Sequence, residues 1–427
     1  MAATVRSSQL RVAGSDIVKM NRWRSGFVAA VVVALGLGTG WSGAGSVAAL
    51  GSQPAHPSRP AAATASGSGQ RALPLHVSGN RILNSNGKPV ELHGFNNSGA
   101  EYACMEGWGM FDVDTATNTS VPVSHIVAMA KWSGANAVRV SLNEQCWLGL
   151  AGVRPQYAGA NYAHAIEGYV RELNAHGFAV ILDLHNSAPG NETSLNQEEM
   201  PDAHSITFWK QVAKAFKGNR SVVFDLFNEP WPDNQSLSTA AWKCWRDGGC
   251  RQTSQNGGAT YTAVGMNQLI HAVRSVGARN IVLAGGLNFA SSLDHWLRYE
   301  PTDPDHELAA SIHIYSWGGC VTASCYNGVP ARVAGKVPLV IGEFGADLTA
   351  GYATIAASCP PKYSGTTGFD QTLLTWANAH HVSWLAWAWN PWGDCLSLVQ
   401  DFTGTPTSPY GVRIQKDLRA ARQSTRA

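Results

Sequence analysis

Eight short apolar runs, each followed by an amphipathic or loop-like stretch, pattern this chain from residue 91 onward. They fall at Glu91–Phe95, Ala137–Ser141, Ala179–Leu184, Val222–Phe227, Ile281–Ala284, Ala309–His313, Leu339–Gly342 and Ser383–Ala388. Runs this rich in aliphatic, β-branched and aromatic residues read as strands covered on both faces, and such strands belong to parallel sheets. Between them, helical spacing is clearest in Tyr162–Ala175, Ile206–Phe216, Tyr261–Val276 and Phe369–Ala379, and Gly177 and Gly277 stand where two of these helices should stop. Eight repeats of strand and crossover predict an α/β chain closed into a (β/α)8, or TIM, barrel. The rival, an open doubly wound sheet, lacks its usual Gly-x-Gly-x-x-Gly turn after the first strand. Ahead of the repeats, His76–Val90 carries two turn signals between short apolar runs. It predicts an N-terminal β-hairpin plugging one end of the domain.

The remainder of the chain bears on compartment. Arg22 and Arg24 precede an apolar run over residues 26–35, and small residues around Ser46-Val47-Ala48-Ala49 offer a cleavage point. Residues 1–49 therefore read as a signal peptide, with Met20 an alternative start, and the run is shorter than the ~20 residues of a membrane span. A one-pass anchor is the rival reading. Residues 50–72, rich in Ala, Ser, Pro and Gly, read as a disordered linker, and 73–420 as the folded catalytic domain. The expected location is secreted and extracellular. A net charge of +2 with no basic block in the folded part argues against nucleic acid as a partner, and a monomer is expected.

There are eight cysteines, at 104, 146, 244, 250, 320, 325, 359 and 395. No Cys-x-x-Cys pair or histidine cluster suggests zinc, so no metal and no cofactor are expected. An even count behind an export signal favours disulfides. Cys244 with Cys250 and Cys320 with Cys325 would each staple one loop; Cys104 with Cys146 and Cys359 with Cys395 follow by elimination, and other pairings stay open.

Function is written at the strand ends. Residues at or just beyond the C-termini of the eight strands include Asn96, Arg139, Asn143, Asp183, His185, Asn228, Glu229, Asn288, His313, Tyr315, Glu343, Trp387 and Trp389. In a closed barrel that lip carries the reactive groups, since the βα loops open the concavity there. Glu229 follows a buried strand that Pro230 ends, and Glu343 closes Pro338-Leu339-Val340-Ile341-Gly342. A lone glutamate at a strand end is more often a surface or ion-pair residue. Two at two strand mouths are the minimum apparatus for cleaving a glycosidic bond.

The ordered set Arg139, His185, Asn228-Glu229-Pro230, His313-Ile314-Tyr315, Ile341-Gly342-Glu343-Phe344-Gly345 and Trp387 resembles glycoside hydrolase family 5, the cellulase family of retaining (β/α)8 glycosidases, from Leu73 to about Arg419. The resemblance implies an acid/base at Glu229, a nucleophile at Glu343, Asn228 at the sugar 2-hydroxyl, and Arg139, His185, His313, Tyr315 and Trp387 as a supporting shell. Arg139 and the Tyr315 hydroxyl are the expected partners that keep Glu343 ionised. The blander alternatives are that Arg139 merely pairs with Asp183 or Asp225 and that the histidines are core residues.

Sixteen tryptophans are present, and Trp108, Trp147, Trp231, Trp317, Trp389 and Trp392 fall in or beside βα loops. Flat aromatic faces suit sugar rings, so Trp387 is the expected sugar platform, with Trp389 next on the same strand face. Two departures from the family pattern stand out: a single Asn186 after His185, and a long first loop, Glu101 to Asp114, able to wall off one end of the groove. The expected activity is a secreted retaining β-glycoside hydrolase, first an endo-β-1,4-glucanase, acting on a polysaccharide or oligosaccharide. The alternatives are a β-mannanase or exo-acting β-glycosidase on the same barrel, a non-catalytic carbohydrate-binding barrel, and a metal-dependent barrel hydrolase, which lacks a His-x-His pair on the first strand.

Overall fold

The computed structural model describes residues 72–112, 121–150, 152–345 and 368–424. The expected leader, the linker up to residue 71 and Cys359 lie outside the described residues. A hairpin, β1 (Leu75–Ser78) and β2 (Arg81–Asn84), comes first. The barrel strands are β3 (His93–Asn97), β4 (Ala137–Asn143), β5 (Ala179–Asn186) and β6 (Val222–Asp225). After an antiparallel excursion, β7 (Arg251–Thr253) and β8 (Thr260–Thr262), the barrel resumes with β9 (Val282–Gly285), β10 (Leu308–Ile314), β11 (Leu339–Phe344) and β12 (Ser383–Ala386). The eight barrel strands pair in parallel, each with its neighbour in the chain, and β12 closes on β3. Every expected strand is present, and the fold is the predicted (β/α)8 barrel.

Two layers of packing explain the closure. Outward-facing strand residues such as Val138, Val180, Leu182, Phe224 and Ile341 are buried under the surrounding helices, which is why the strands read as continuous apolar runs. Inward-facing residues at the N-terminal end, including Ile181, Val223, Leu283, Val340 and Leu385, form a separate small core with Leu75, Ile82 and Leu92. The hairpin therefore plugs the foot of the barrel, as its sequence suggested. Leu75 N–H donates to Arg220 O (2.9 Å) and Val77 N–H to Glu307 Oε2 (2.6 Å), pinning it there.

Most helix limits follow the periodicity. Helices Ala160–Ala175, Ala203–Phe216 and Phe369–Ala379 match their expected runs. Gly177 and Gly277 have φ of +91° and +77°, a left-handed turn that glycine takes without a Cβ penalty. The stretch read as a helix from Tyr261 instead contains β8, and its helix begins at Met266. Thr260-Tyr261-Thr262 alternates out, in, out, with Tyr261 buried and its hydroxyl donating to Met200 O at 2.8 Å. The helix starts where Gln268 Oε1 reaches back to Gly265 N–H (2.9 Å).

Disulfides join Cys104 to Cys146, Cys244 to Cys250 and Cys320 to Cys325, as expected. Cys395 is also disulfide-bonded. Cys104–Cys146 closes 42 residues and ties the first loop to the end of β4. Removing it through paired alanines should cost about 3–4 kcal/mol by chain-entropy reasoning, read as a lowered denaturant midpoint. An unchanged midpoint would mean packing alone holds that loop.

Candidate active site

Arg139 stands fully buried in the middle of β4, and its guanidinium organises the upper half of the barrel. Nε donates to Asp225 Oδ2 (2.9 Å), Nη1 to Glu343 Oε1 (2.7 Å) and Asn96 Oδ1 (3.1 Å), and Nη2 to Asn228 Oδ1 (2.9 Å), with Asp183 Oδ1 at 3.0 Å from Nη2. Such a fork can satisfy several planar acceptors at once, which an ammonium cannot. The arginine thus does both things weighed in the sequence: it pairs with Asp183 and Asp225, and it reaches Glu343.

Two histidines complete the charge balance. His185 Nδ1 lies 2.7 Å from Asp183 Oδ2; burial opposes its protonation, but Asp183 and further acids lift its pKa to about 9. His313 Nδ1 is 2.9 Å from Glu229 Oε1 and 3.6 Å from Glu343 Oε2. Burial disfavours its charge too, yet Glu343 and Glu229 raise its pKa overall. Asp225 is pushed up to about 6, chiefly by burial, with Arg139 acting against it. Three basic side chains, Arg139, His185 and His313, thus face three acidic ones, Asp183, Asp225 and Glu343, in a dry environment, where unpaired charge is costly.

Glu343 ends β11 with its side chain 4% exposed. Burial alone would raise its pKa, but His313, Arg139 and His185 together with the Tyr315 hydroxyl, which donates to Oε2 at 2.6 Å, hold it below the ordinary carboxylate value. Gly342 before it is required by space: a Cβ there would stand 2.8 Å from Ser311 Oγ and 2.9 Å from His313 Nε2. The acid limb of kcat/KM, which reports ionisation in the free enzyme, should accordingly lie below the usual carboxylate range. Tyr315→Phe removes a donor to the charged form, so that limb should move to higher pH. A limb that stays put would show that the hydroxyl does not hold the charge.

Glu229 lies beyond the end of β6, in a left-handed backbone conformation (φ +51°) rare for a non-glycine residue. Gln197 fixes that turn by donating from Nε2 to the carbonyls of Asn228 (2.9 Å) and Glu229 (3.0 Å). The Glu229 side chain is 18% exposed against 4% for Glu343, so of the two it meets solvent. Carboxylate oxygens of both glutamates and a His313 ring nitrogen all lie within 4.8 Å of one another.

The family model described as Cellulase (glycosyl hydrolase family 5) matches residues 83–393. The chain belongs to glycosyl hydrolase family 5. This family 5 enzyme is 23% identical over 354 residues to a mannan endo-1,4-beta-mannosidase from Salipaludibacillus agaradhaerens, covering 80% of this chain and 90% of that protein. It is also 23% identical over 385 residues to an endoglucanase from Paenibacillus polymyxa, covering 82% and 89%. Among solved structures, the β-glucanase of Saccharophagus degradans in complex with cellotetraose matches with a TM-score of 0.60 at 18% identity, covering 83% of this chain and 95% of that one. The β-mannanase of Streptomyces thermolilacinus with mannohexaose gives 0.56 at 19%, covering 82% and 96%. These structural likenesses establish the fold.

Of the expected site residues, Arg139, His185, Asn228, Glu229, His313, Tyr315 and Glu343 are linked by the contacts above. Asn228 Nδ2 lies 3.4 Å from His185 Nε2, and the His185 ring stacks on Trp387 (centroids 5.7 Å, planes 18° apart). Trp389 is a correction. It is fully buried, packed 4.7 Å from Phe95 and 4.9 Å from Trp132, because β12 ends at Ala386 and the two-residue alternation stops there. Trp147 is likewise buried, between Tyr162 and Phe208. Trp108 is 46% exposed, while Trp231 stacks on Phe289, Trp317 on Tyr315, and Trp392 donates to Asp112 (3.1 Å). Sequence reasoning found Asn96 only as a strand-end residue and missed Gln197, which sits in a loop with no motif around it.

Proposed function

We propose that this glycoside hydrolase retains anomeric configuration through a double displacement, with Glu343 as nucleophile and Glu229 as acid/base. The observation that carries the reading is the approach of the two carboxylates to within 4.8 Å. Retaining enzymes hold the pair at about 5–5.5 Å, whereas inverting ones leave about 6.5–9.5 Å for a water. Glu343, kept charged by His313, Arg139 and Tyr315, attacks the anomeric carbon. Glu229 delivers a proton to the departing oxygen, its Oε1 held 2.9 Å from His313 Nδ1. Formation of the glycosyl ester removes the charge on Glu343, and Glu229, now ionised, takes a proton from the incoming water. Asn228, its oxygen held by Arg139, has its amide hydrogens left to donate to the sugar 2-oxygen. Trp387 floors the sugar.

The substrate proposed first is a β-1,4-glucan cut internally, with Trp108, Trp231, Trp317 and Trp392 offering flanking aromatic surface. β-1,4-Mannan is the second reading, favoured by the mannosidase among the relatives. Assay of β-1,4-glucan, β-1,4-mannan and aryl glycosides, with the first product's anomer read by NMR, tests both levels. An α-anomer released first overturns retention; activity confined to aryl or very short substrates overturns internal cleavage. We further propose that the enzyme works outside the cell, supported by its disulfides and by the N-terminal charge and hydropathy pattern. No helix among the described residues is long and apolar enough to cross a membrane. Detection of the mature chain only in the cell fraction would refute export.

A further inference from the structure

A second cluster of ionisable groups lies beside the barrel, away from the Arg139 network. Glu144 opens the short helix Glu144–Leu148 after β4, and Asp202 caps the helix Ala203–Phe216 after β5, with His204 in its first turn. Glu144 is fully buried and Asp202 2% exposed. The His204 Nδ1 atom lies 3.6 Å from Asp202 Oδ1 and 4.0 Å from Glu144 Oε1, and donor atoms of all three fall within 4.8 Å of one another. Among the described residues, no well-formed hydrogen bond reaches either Glu144 carboxylate oxygen, Asp202 Oδ2 or His204 Nδ1, although Ser205 and Asp202 lie near enough to act on the Glu144 carboxyl. Buried polar atoms in that condition are uncommon and call for a physical reason.

We infer that Glu144, Asp202 and His204 form a binding site for a divalent transition-metal cation of the Mn2+ or Zn2+ type. Two carboxylates removed from water need a compensating charge, and among the described residues His204 is the one basic group within 4.0 Å of either. A cation held between the three donor atoms, all within 4.8 Å of one another, would supply that charge. Metal–ligand bonds of about 2.0–2.2 Å set donor atoms roughly 3–3.5 Å apart, so modest side-chain shifts bring the three atoms into range. One imidazole with two carboxylates suits Zn2+ or Mn2+ better than the all-oxygen shell of Ca2+.

The surroundings supply orientation and access. Asp202 Oδ1 is fixed by the His204 N–H (2.7 Å), which leaves Oδ2 as the ligand atom, an outer-shell arrangement common at metal sites. Glu198, which acts electrostatically on Glu144, is already engaged by Ser254 Oγ, Gln255 N–H and Asn256 Nδ2. The His204 side chain is 31% exposed, which gives an ion a way in. Asn143, just before Glu144, binds Glu101 O and Ser194 O, so a cation here would brace the wall formed by the loops after β3, β4 and β5.

The test is to strip the full chain with chelator, add MnCl2 or ZnCl2 separately, remove excess ion, and measure bound metal by elemental analysis and Tm by calorimetry. The expected result is about one ion per chain and a rise of about 5 °C in Tm, both lost in Glu144→Gln and in His204→Ala. His204 is part-exposed, so its variant keeps the test open should Glu144→Gln fail to fold. No retained ion and no shift with either metal overturns the inference. So does an ion that both variants retain but Glu343→Gln loses, since it would then occupy the catalytic pair.

Discussion

Glu343→Ala is expected to lower turnover by about 10^4-fold or more while the variant still binds an oligosaccharide. Each factor of ten corresponds to about 1.4 kcal/mol of barrier, and Glu343 is the group that attacks the anomeric carbon in the proposed mechanism. Glu229→Ala should behave differently. With a natural glycan the departing alkoxide needs a proton, and the loss should be comparable. With an aryl glycoside whose leaving group departs unprotonated, the first step should survive and the glycosyl-enzyme should accumulate. Added azide, a small anion needing no base, should then restore turnover of that substrate with retained configuration. Stopped-flow and product analysis read both effects; parental rates in Glu343→Ala would end the assignment, and identical behaviour of the two variants would undo the division of labour.

Replacing Arg139 should have the largest effect on folding. Arg139→Met leaves Asp183, Asp225 and Glu343 facing a cavity without their shared cation, and breaking buried pairs of this kind costs about 3–5 kcal/mol. Within the folded fraction, Glu343 should also lose part of its depression and carry a proton to higher pH. The stability side has a definite sign. A carboxylate held low in the native state contributes stability above its unfolded pKa, and this is lost as pH falls through the lower folded value. The parent should therefore keep this contribution at pH values where the variant has already lost it. Arg139→Lys, with charge but no fork, should fall between them. Denaturant titration across pH measures all three, and a midpoint for Arg139→Met equal to the parent would show the acids are already neutral.

How much of the fold and the site was legible in the sequence depended on whether a residue obeyed a local rule. Strands covered on both faces announce themselves as apolar runs, and the lip of a barrel is found by reading the residues just beyond each run; this located Arg139, His185, Asn228, Glu229, His313, Tyr315 and Glu343. Trp389 failed because parity counting assumes an extended chain, and β12 stops three residues earlier. The start of β8 was read as helix because a three-residue strand is too short to outweigh the helical spacing that begins at Met266. Gln197 and the trio Glu144, Asp202 and His204 had no signature at all: their meaning is three-dimensional proximity between loops that no spacing encodes.

The hairpin at the foot of the barrel has a consequence for the order of events in catalysis. With that end stoppered by Leu75, Ile82 and Leu92, the cleft is a cul-de-sac among the described residues, and the proposed ester on Glu343 is approached from the open end. The molecule that completes hydrolysis must come in by the doorway through which the severed glycan leaves. In the proposed double displacement departure therefore precedes arrival, and a sugar hydroxyl waiting at that doorway would compete with water, so the architecture that serves hydrolysis would also serve transfer to a second glycan.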